Sequence, residues 1–187
     1  MAKAQRLGGW MTRFKRCIDA QAGPAVSEKV IIDTERFDAT SDYAQKAEWI
    51  KNAVWRLENQ AGQPTAREVM QACGMKCCGP TQQKRARQFM AESKSVEGLL
   101  ARLNEKGIGG GRLKLKDPNT IVGGYDRCYC GRVKHTRQPF PTDTYCHCSA
   151  GWYKSLFEAA FGKPVTVKLK QSILQGADRC EFEIELG

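Results

Sequence analysis

The chain has no apolar run approaching the roughly 20 residues that a membrane-spanning helix requires. It has no internal repeat and no low-complexity tract, so neither a repeat architecture nor a biased linker is expected. Its start, MAKAQRLGGWMTRFKRCIDAQAG, is basic but lacks the continuous apolar segment of a secretory leader. A reducing cytoplasm is therefore the expected compartment. Histidine is scarce, with two in 187 residues, and no paired-carboxylate or Ser/His/Asp arrangement supports hydrolytic catalysis. The glycines of IGGGRLKLK lack the Lys-Ser/Thr of a phosphate-binding loop and precede a strand pattern, so they read as a turn.

Cysteine and positive charge are abundant. Nine cysteines in a reducing compartment are not a disulfide framework, which shifts weight to metal binding or thiol chemistry. Thirty Lys and Arg against twenty Asp and Glu give a net charge of +10. That balance admits nucleic acid, an anionic ligand or an acidic partner. The basic residues are spread along the chain, however, which favours a solvated basic surface. Hydrophobic residues at 41% and charged residues at 27% place the chain among globular proteins. The length suits one domain with an appendage: residues 1–40 as a basic helix and connection, and 41–187 as a single α+β domain.

Apolar spacing predicts a helix over residues 1–22 with Trp10, Phe14, Cys17 and Ile18 near one face. A dimer through Trp10, Phe14 and Ile18 is one use for that face. Residues 23–40 read as a connection with a short strand at VIID. A second helix follows, capped by Ser41, striped by Ala47, Ile50, Val54 and Leu57, and stopped by Gly62. Thr65 and Glu68 have capping-box spacing for a third. It runs into CGMKCCGP, where Gly74, Gly79 and Pro80 are breakers. Further helices are expected over 81–92 and after Ser95.

The pattern then changes period. Leu113 and Leu115 alternate with lysines, Asp117-Pro118-Asn119 signals a turn, and TIVGGY reads as a strand. Ser149 is placed as the cap of AGWYKSLFEAAF, which Gly162 and Pro164 end. VTVKLKQSI and CEFEIEL then alternate as an antiparallel hairpin about Gly176, lysines facing glutamates on the wet face. Helices followed by antiparallel strands make the α+β pattern: a helical N-terminal half, then a C-terminal helix leading into a β-hairpin.

The tail WYKSLFEAAFGKPVTVKLKQSILQGADRCEFEIEL, with Ser172, Gly176, Cys180 and Phe182 in Ser-x-x-x-Gly-x-x-x-Cys-x-Phe, resembles the 4-vinyl-reductase-like, or hydrocarbon-binding, domain over about residues 145–186. The three cysteine-rich segments resemble an uncharacterised branch of these proteins over residues 70–187. The resemblance implies helices packed on a twisted antiparallel sheet around an apolar pocket. It also implies a zinc site with two cysteines at the turn and a carboxylate on the preceding strand. Here Ser172 and Leu169 stand at two of those positions, so that site is not carried over. Cys180 alternates in phase with Phe182 and Ile184 and reads as a core residue.

Seven other cysteines fall into three clusters: Cys73, Cys77 and Cys78; Cys128 and Cys130; Cys146 and Cys148. Close pairs cost little chain entropy to bring to one ion, and four thiolates suit tetrahedral zinc or an iron–sulfur cluster. All seven are candidate ligands. Cys146 and Cys148 adjoin an expected helix N-terminus, whose dipole would favour thiolates. His147 between them is a further candidate, whereas His135 reads as an exposed loop residue. Trp152, Tyr153 and Phe157 sit at helical spacing and are either core or the lining of a ligand pocket.

The resulting expectation is a module that binds a small apolar ligand and carries a thiolate metal site, zinc before iron–sulfur. Two other classes stay open: an iron–sulfur or thiol-dependent oxidoreductase, and a basic nucleic-acid-binding protein.

Overall fold

The computed structural model describes residues 9–187. The earlier part of the expected first helix lies outside the described residues. From Gly9 the apolar rhythm forms helix α1, Gly9–Gln21, which buries Met11, Phe14, Cys17 and Ile18. Trp10 stacks on Phe14 at 5.1 Å. The face suggested for a dimer therefore packs inside the chain, with Phe14 and Ile18 fully buried.

Residues 23–40 hold two short helices, α2 (Pro24–Val30) and α3 (Thr34–Ala39), in place of a connection with a strand. Pro24 sits in the first turn of α2, where a missing N–H is no loss. A strand at VIID would have no neighbouring ladder; the Ile31 N–H instead donates to the Ser27 carbonyl at 2.9 Å. Val30 and Phe37 anchor the two helices in the core.

Helix α4, Tyr43–Ala61, buries the expected stripe of Ala47, Ile50, Val54 and Leu57. Asp42 rather than Ser41 caps it, its Oδ1 accepting from the Ala44 N–H at 2.7 Å. Helix α5, Gln63–Ser93, starts ahead of the Thr65/Glu68 box because Pro64 supplies its first turn. It runs unbroken through Gly74, which is no breaker, and is interrupted at Gly79 (φ 69°, ψ 160°), just before Pro80. Its second half, beyond that break, is the further helix expected over 81–92. Helix α6, Val96–Glu105, is capped by Ser95, whose Oγ accepts from the Gly98 N–H at 3.1 Å.

The strands are β1 (Lys114–Asp117), β2 (Thr120–Tyr125), β3 (Val165–Gln171) and β4 (Cys180–Leu186). They form one antiparallel sheet in the order β1-β2-β4-β3. Helix α7, His147–Phe161, precedes the β3–β4 hairpin and ends at Gly162 with φ 68°. The hairpin register sets Val167 opposite Ile184 and Leu169 opposite Phe182, with Thr166 and Lys168 opposite Glu185 and Glu183. The α+β fold is thus the one the patterns describe.

Apolar burial divides into two clusters. One joins α1 to α4 and the first half of α5 with Val133, Phe140 and Tyr145. The other packs the second half of α5, α6 and α7 against Ile121, Phe182 and Ile184 of the sheet. Helices α5 and α7 link the two and cross at glycines. A Cβ at Gly74 would fall within bonding distance of the Cys148 carbonyl, and one at Gly151 would do the same to the Gln71 carbonyl. Only glycine at both positions permits so close a crossing.

Candidate functional site

Residues 126–143, between β2 and α7, are turns and bends that carry Cys128 and Cys130. Three tethers hold the end of this segment. The Phe140 N–H donates to the Leu174 carbonyl at 2.6 Å. Arg67 of α5 binds Asp143 Oδ1 through Nε at 2.9 Å and through a second guanidinium nitrogen at 2.8 Å. Glu58 of α4 accepts from Thr142 Oγ1 at 2.7 Å and also from Thr144 Oγ1. A tight turn at Thr144–Cys146 then runs into α7.

Helix α7 therefore begins two residues before Ser149. Cys146 takes the cap position without a side-chain cap bond, and Cys148 lies inside the first turn.

These constraints bring six thiols to one cavity of about 480 Å3 at the seam of the two apolar clusters. Cys77 enters from α5, Cys128 and Cys130 from the tethered loop, Cys146 and Cys148 from the start of α7, and Cys180 from the first residue of β4. Tyr125, Tyr129, Tyr145 and Trp152 complete much of the wall. Two thiols have oxygen partners: Cys130 Sγ lies 3.2 Å from Tyr145 Oη, and Cys146 Sγ lies 2.7 Å from Ser172 Oγ. Cys180 Sγ accepts from the Ile173 N–H at 3.4 Å. Ser172, where the hydrocarbon-binding resemblance would have a cysteine, thus has the Cys146 thiol beside it.

The other sequence candidates lie elsewhere. Cys73 is buried against Cys17 of α1, and their thiol–thiol hydrogen bond lowers the pKa of Cys17 and raises that of Cys73. Cys78 is buried in the sheet-side cluster, where burial pushes its thiol up to about 11 despite a hydrogen bond from Ser155. Of the expected ligand-pocket aromatics, Trp152 lines the cavity. Tyr153 and Phe157 are fully buried core residues, and Tyr153 donates to the Gly109 carbonyl at 2.9 Å. His147 does not line the cavity; its Nε2 lies 3.6 Å from Asp143, and burial lowers its pKa against the pull of that carboxylate. His135 is exposed and packs on Tyr43.

Burial raises four of the thiols: Cys128 to about 11, Cys146 to about 12, and Cys148 and Cys180 above the ordinary range. Mutual repulsion adds to this at Cys148, where a charge would face Cys130, Cys77 and Cys146. At Cys146 and Cys148 desolvation opposes the help that the α7 dipole gives a thiolate.

Among the described residues, no group of three or more His, Cys, Asp or Glu side chains stands in position to hold a metal ion. The thiols share a cavity without converging on a point. The thiol and aromatic part of the wall is polarisable and suited to a soft or apolar group.

Sequence patterning missed part of this wall. Cys180 is the buried core residue that its alternation with Phe182 and Ile184 indicates, and as the first residue of β4 it also borders the cavity, which the alternation does not show. Tyr125, Tyr145, Arg85 and Lys106 carried no signal of their own, because they reach the cavity from separate elements.

The model of a family of unknown function, DUF6144, matches residues 12–186. The chain belongs to that family. The match spans the helical half, the tethered loop and the hairpin together. No curated protein matches the chain. Among solved structures, an H-NOX protein from S. oneidensis in the Fe(II)NO ligation state is similar at 16% identity and a TM-score of 0.48, covering 97% of this chain and 99% of that one. An H-NOX domain from Shewanella oneidensis in the Fe(II)CO ligation state has 17% identity and a TM-score of 0.45 over the same shares. A trafficking protein particle complex subunit 3 from Naegleria fowleri, covalently bound to palmitic acid, has 15% identity and a TM-score of 0.44, over 75% of this chain and 95% of that one.

Proposed function

We propose that this protein binds a small molecule in the six-thiol cavity and carries a thiolate metal centre in its wall, zinc in the first instance and an iron–sulfur cluster in the second. The observation that carries the reading is convergence: four separate chain segments each deliver cysteine to one concavity. Cysteine packs well as a small apolar residue, but core packing gives no reason for six to border one space. The volume suits a small-molecule site, typically about 300–1,000 Å3.

Cys128, Cys130, Cys146 and Cys148 form the preferred ligand set, flanked by Cys77 and Cys180. Rotation of their side chains would have to bring four sulfurs to about 2.3 Å from one zinc ion. Bound metal would supply a Lewis-acidic centre and displace the thiol protons that burial now retains. On this reading Cys73 and Cys78, which do not line the cavity, are structural.

The thiol-oxidoreductase alternative is less well supported. A redox-active cysteine needs an accessible, low-pKa thiolate, whereas burial drives Cys128, Cys146, Cys148 and Cys180 the other way. The resemblance of α7, β3 and β4 to the 4-vinyl-reductase-like domain supports the ligand half of the proposal. A reducing cytoplasmic setting goes with it, since six neighbouring thiols stay reduced there. Among the described residues no helix is long and apolar enough to cross a membrane.

Anaerobic purification with elemental analysis and absorbance tests the metal half. About one zinc per chain, or visible charge-transfer bands with iron and sulfide, is expected, lost in Cys148→Ser and retained in Cys73→Ser. A metal-free protein whose cavity thiols all react freely with a disulfide reagent would sink it.

A further inference from the structure

The cavity has a charge asymmetry that its thiols do not explain. Arg85 and Lys106 line it, and no Asp or Glu does. Arg85 is exposed and, among the described residues, has neither an ion-pair nor a hydrogen-bond partner. Lys106 Nζ meets only its chain neighbour Glu105, at 2.6 Å, and both side chains are more than half exposed. Such a pair is weak and leaves the ammonium free to turn.

One helical turn before Arg85, Gln82 also lines the cavity. Its Oε1 is buried and has no donor. Residues three apart share a helix face, so Gln82 and Arg85 present an orphaned acceptor and a free guanidinium side by side. No carboxylate lines the cavity to balance the two cations, and much of the rest of the wall is thiol, aromatic and glycine.

We infer that the occupant of this cavity is an organic anion. Arg85 and Lys106 take its acidic group at the rim, Gln82 Oε1 accepts from an adjacent hydroxyl or amine, and the apolar body lies along Trp152 and the thiol wall. The inference rests on the cavity being a ligand site, as proposed above, but does not need the metal. A guanidinium without a carboxylate partner, beside an ammonium held only by an exposed neighbour, gains most from a carboxylate, sulfonate or phosphate entering a partly desolvated rim. A neutral occupant would leave Arg85 without a partner and Lys106 with Glu105 alone.

Two dyes that share a ring system test it. Anilinonaphthalene sulfonate carries the anion and N-phenyl-1-naphthylamine lacks it. Both are titrated by fluorescence into the reduced full chain, with energy transfer from tryptophan, compared in Trp152→Phe, reporting the location. The expected result is a preference for the sulfonate of roughly tenfold. That preference should fall to within about twofold of unity in Arg85→Gln/Lys106→Gln, with the neutral dye unaffected, and should be lost on raising the salt. Both substituted residues are exposed, so the variants keep the core intact.

Equal affinities in the unmodified protein would overturn the anion while leaving the cavity as a site. So would a sulfonate preference that survives the double substitution, or one lost equally in Arg112→Gln on the neighbouring sheet groove. Binding of neither dye would overturn both the anion and the ligand site. A parallel cobalt titration separates the metal: if the double variant weakened cobalt binding and left the dye preference unchanged, the cations would serve a thiolate centre and the inference would fall.

Discussion

Two concavities among the described residues differ in how their polar groups are partnered. The larger, about 850 Å3, is a groove along β1, β2 and β4 bordered by Arg112, Lys116, Lys170 and Arg179. Four of its five lining cations are paired with lining carboxylates, Arg112 with Asp126, Lys116 and Lys170 with Glu183, and Arg179 with Glu181, while Lys114 has no ion pair among the described residues. The smaller, about 480 Å3, has two cations without a lining carboxylate, six thiols and an orphaned acceptor. The two adjoin at Tyr125 and Cys180. Volume alone would select the groove. Unfinished chemistry selects the cavity, because polar groups that complete one another within the chain have little left to offer a ligand.

The contrast breaks most completely at the helix crossing beneath the cavity. Gly74→Ala pushes a methyl group into the Cys148 backbone, which cannot yield without separating α5 from α7. A loss of about 3 kcal/mol or more is expected in urea unfolding, with the cavity disrupted while the β3–β4 hairpin keeps its register. Unchanged stability would show that the crossing is looser than the structure has it.

Alkaline pH comes next. Below the ordinary thiol range Cys146 is protonated in both the folded and the unfolded chain, so its contribution to stability is full. Above that the unfolded chain releases protons that the buried thiols retain, and stability falls until the folded thiols ionise, near pH 12 for Cys146. For Cys146 the fall is on the order of 3–4 kcal/mol. Unfolding midpoints followed from pH 8 to pH 11 should drop, and Cys146→Ser should drop less. A variant that tracks the parent protein would remove the buried thiol as the cause.

The loop tethers have a smaller effect. Arg67→Ala removes both bonds to a partly exposed Asp143 and should cost about 1 kcal/mol. Its sharper readout is faster labelling of Cys128 and Cys130 by a thiol reagent, because the segment that carries them is released. At the far end, Lys116→Ala in the groove breaks an ion pair on an exposed face. Its unfolding midpoint and the reactivity of the cavity thiols should both match the parent protein; a clear shift in either would make the groove more than a satisfied surface.

The hairpin was legible in the sequence because its information is local. Alternation over Val165 to Leu169 and Cys180 to Leu186 fixes two faces, and Gly176 fixes the turn between them. The α4 stripe and the Ser95 cap were legible for the same reason. Errors arose where two local signals competed. Asp42 displaced Ser41 at a cap, and Pro64 started α5 ahead of a plausible capping box. At Gly74 the glycine that suggested a break serves a helix crossing instead. The site was half legible: clustered cysteines marked the chemistry, but Cys73 carried the signature of a ligand, and the core alternation of Cys180, correct in itself, did not show that it also borders the cavity.

The sequence by itself determined the elements, the dry and wet faces of the hairpin, and the concentration of thiols around Cys128 to Cys148, since these depend on residues within a few positions of one another. Only the tertiary structure decided which thiols share a space, that burial keeps Cys146 protonated up to about pH 12, and that Arg85, Lys106 and Gln82 border it. Desolvation and charge pairing depend on what lies across the cavity, and the groups facing each other there come from α5, the loop after β2, α7 and β4, which only packing brings together.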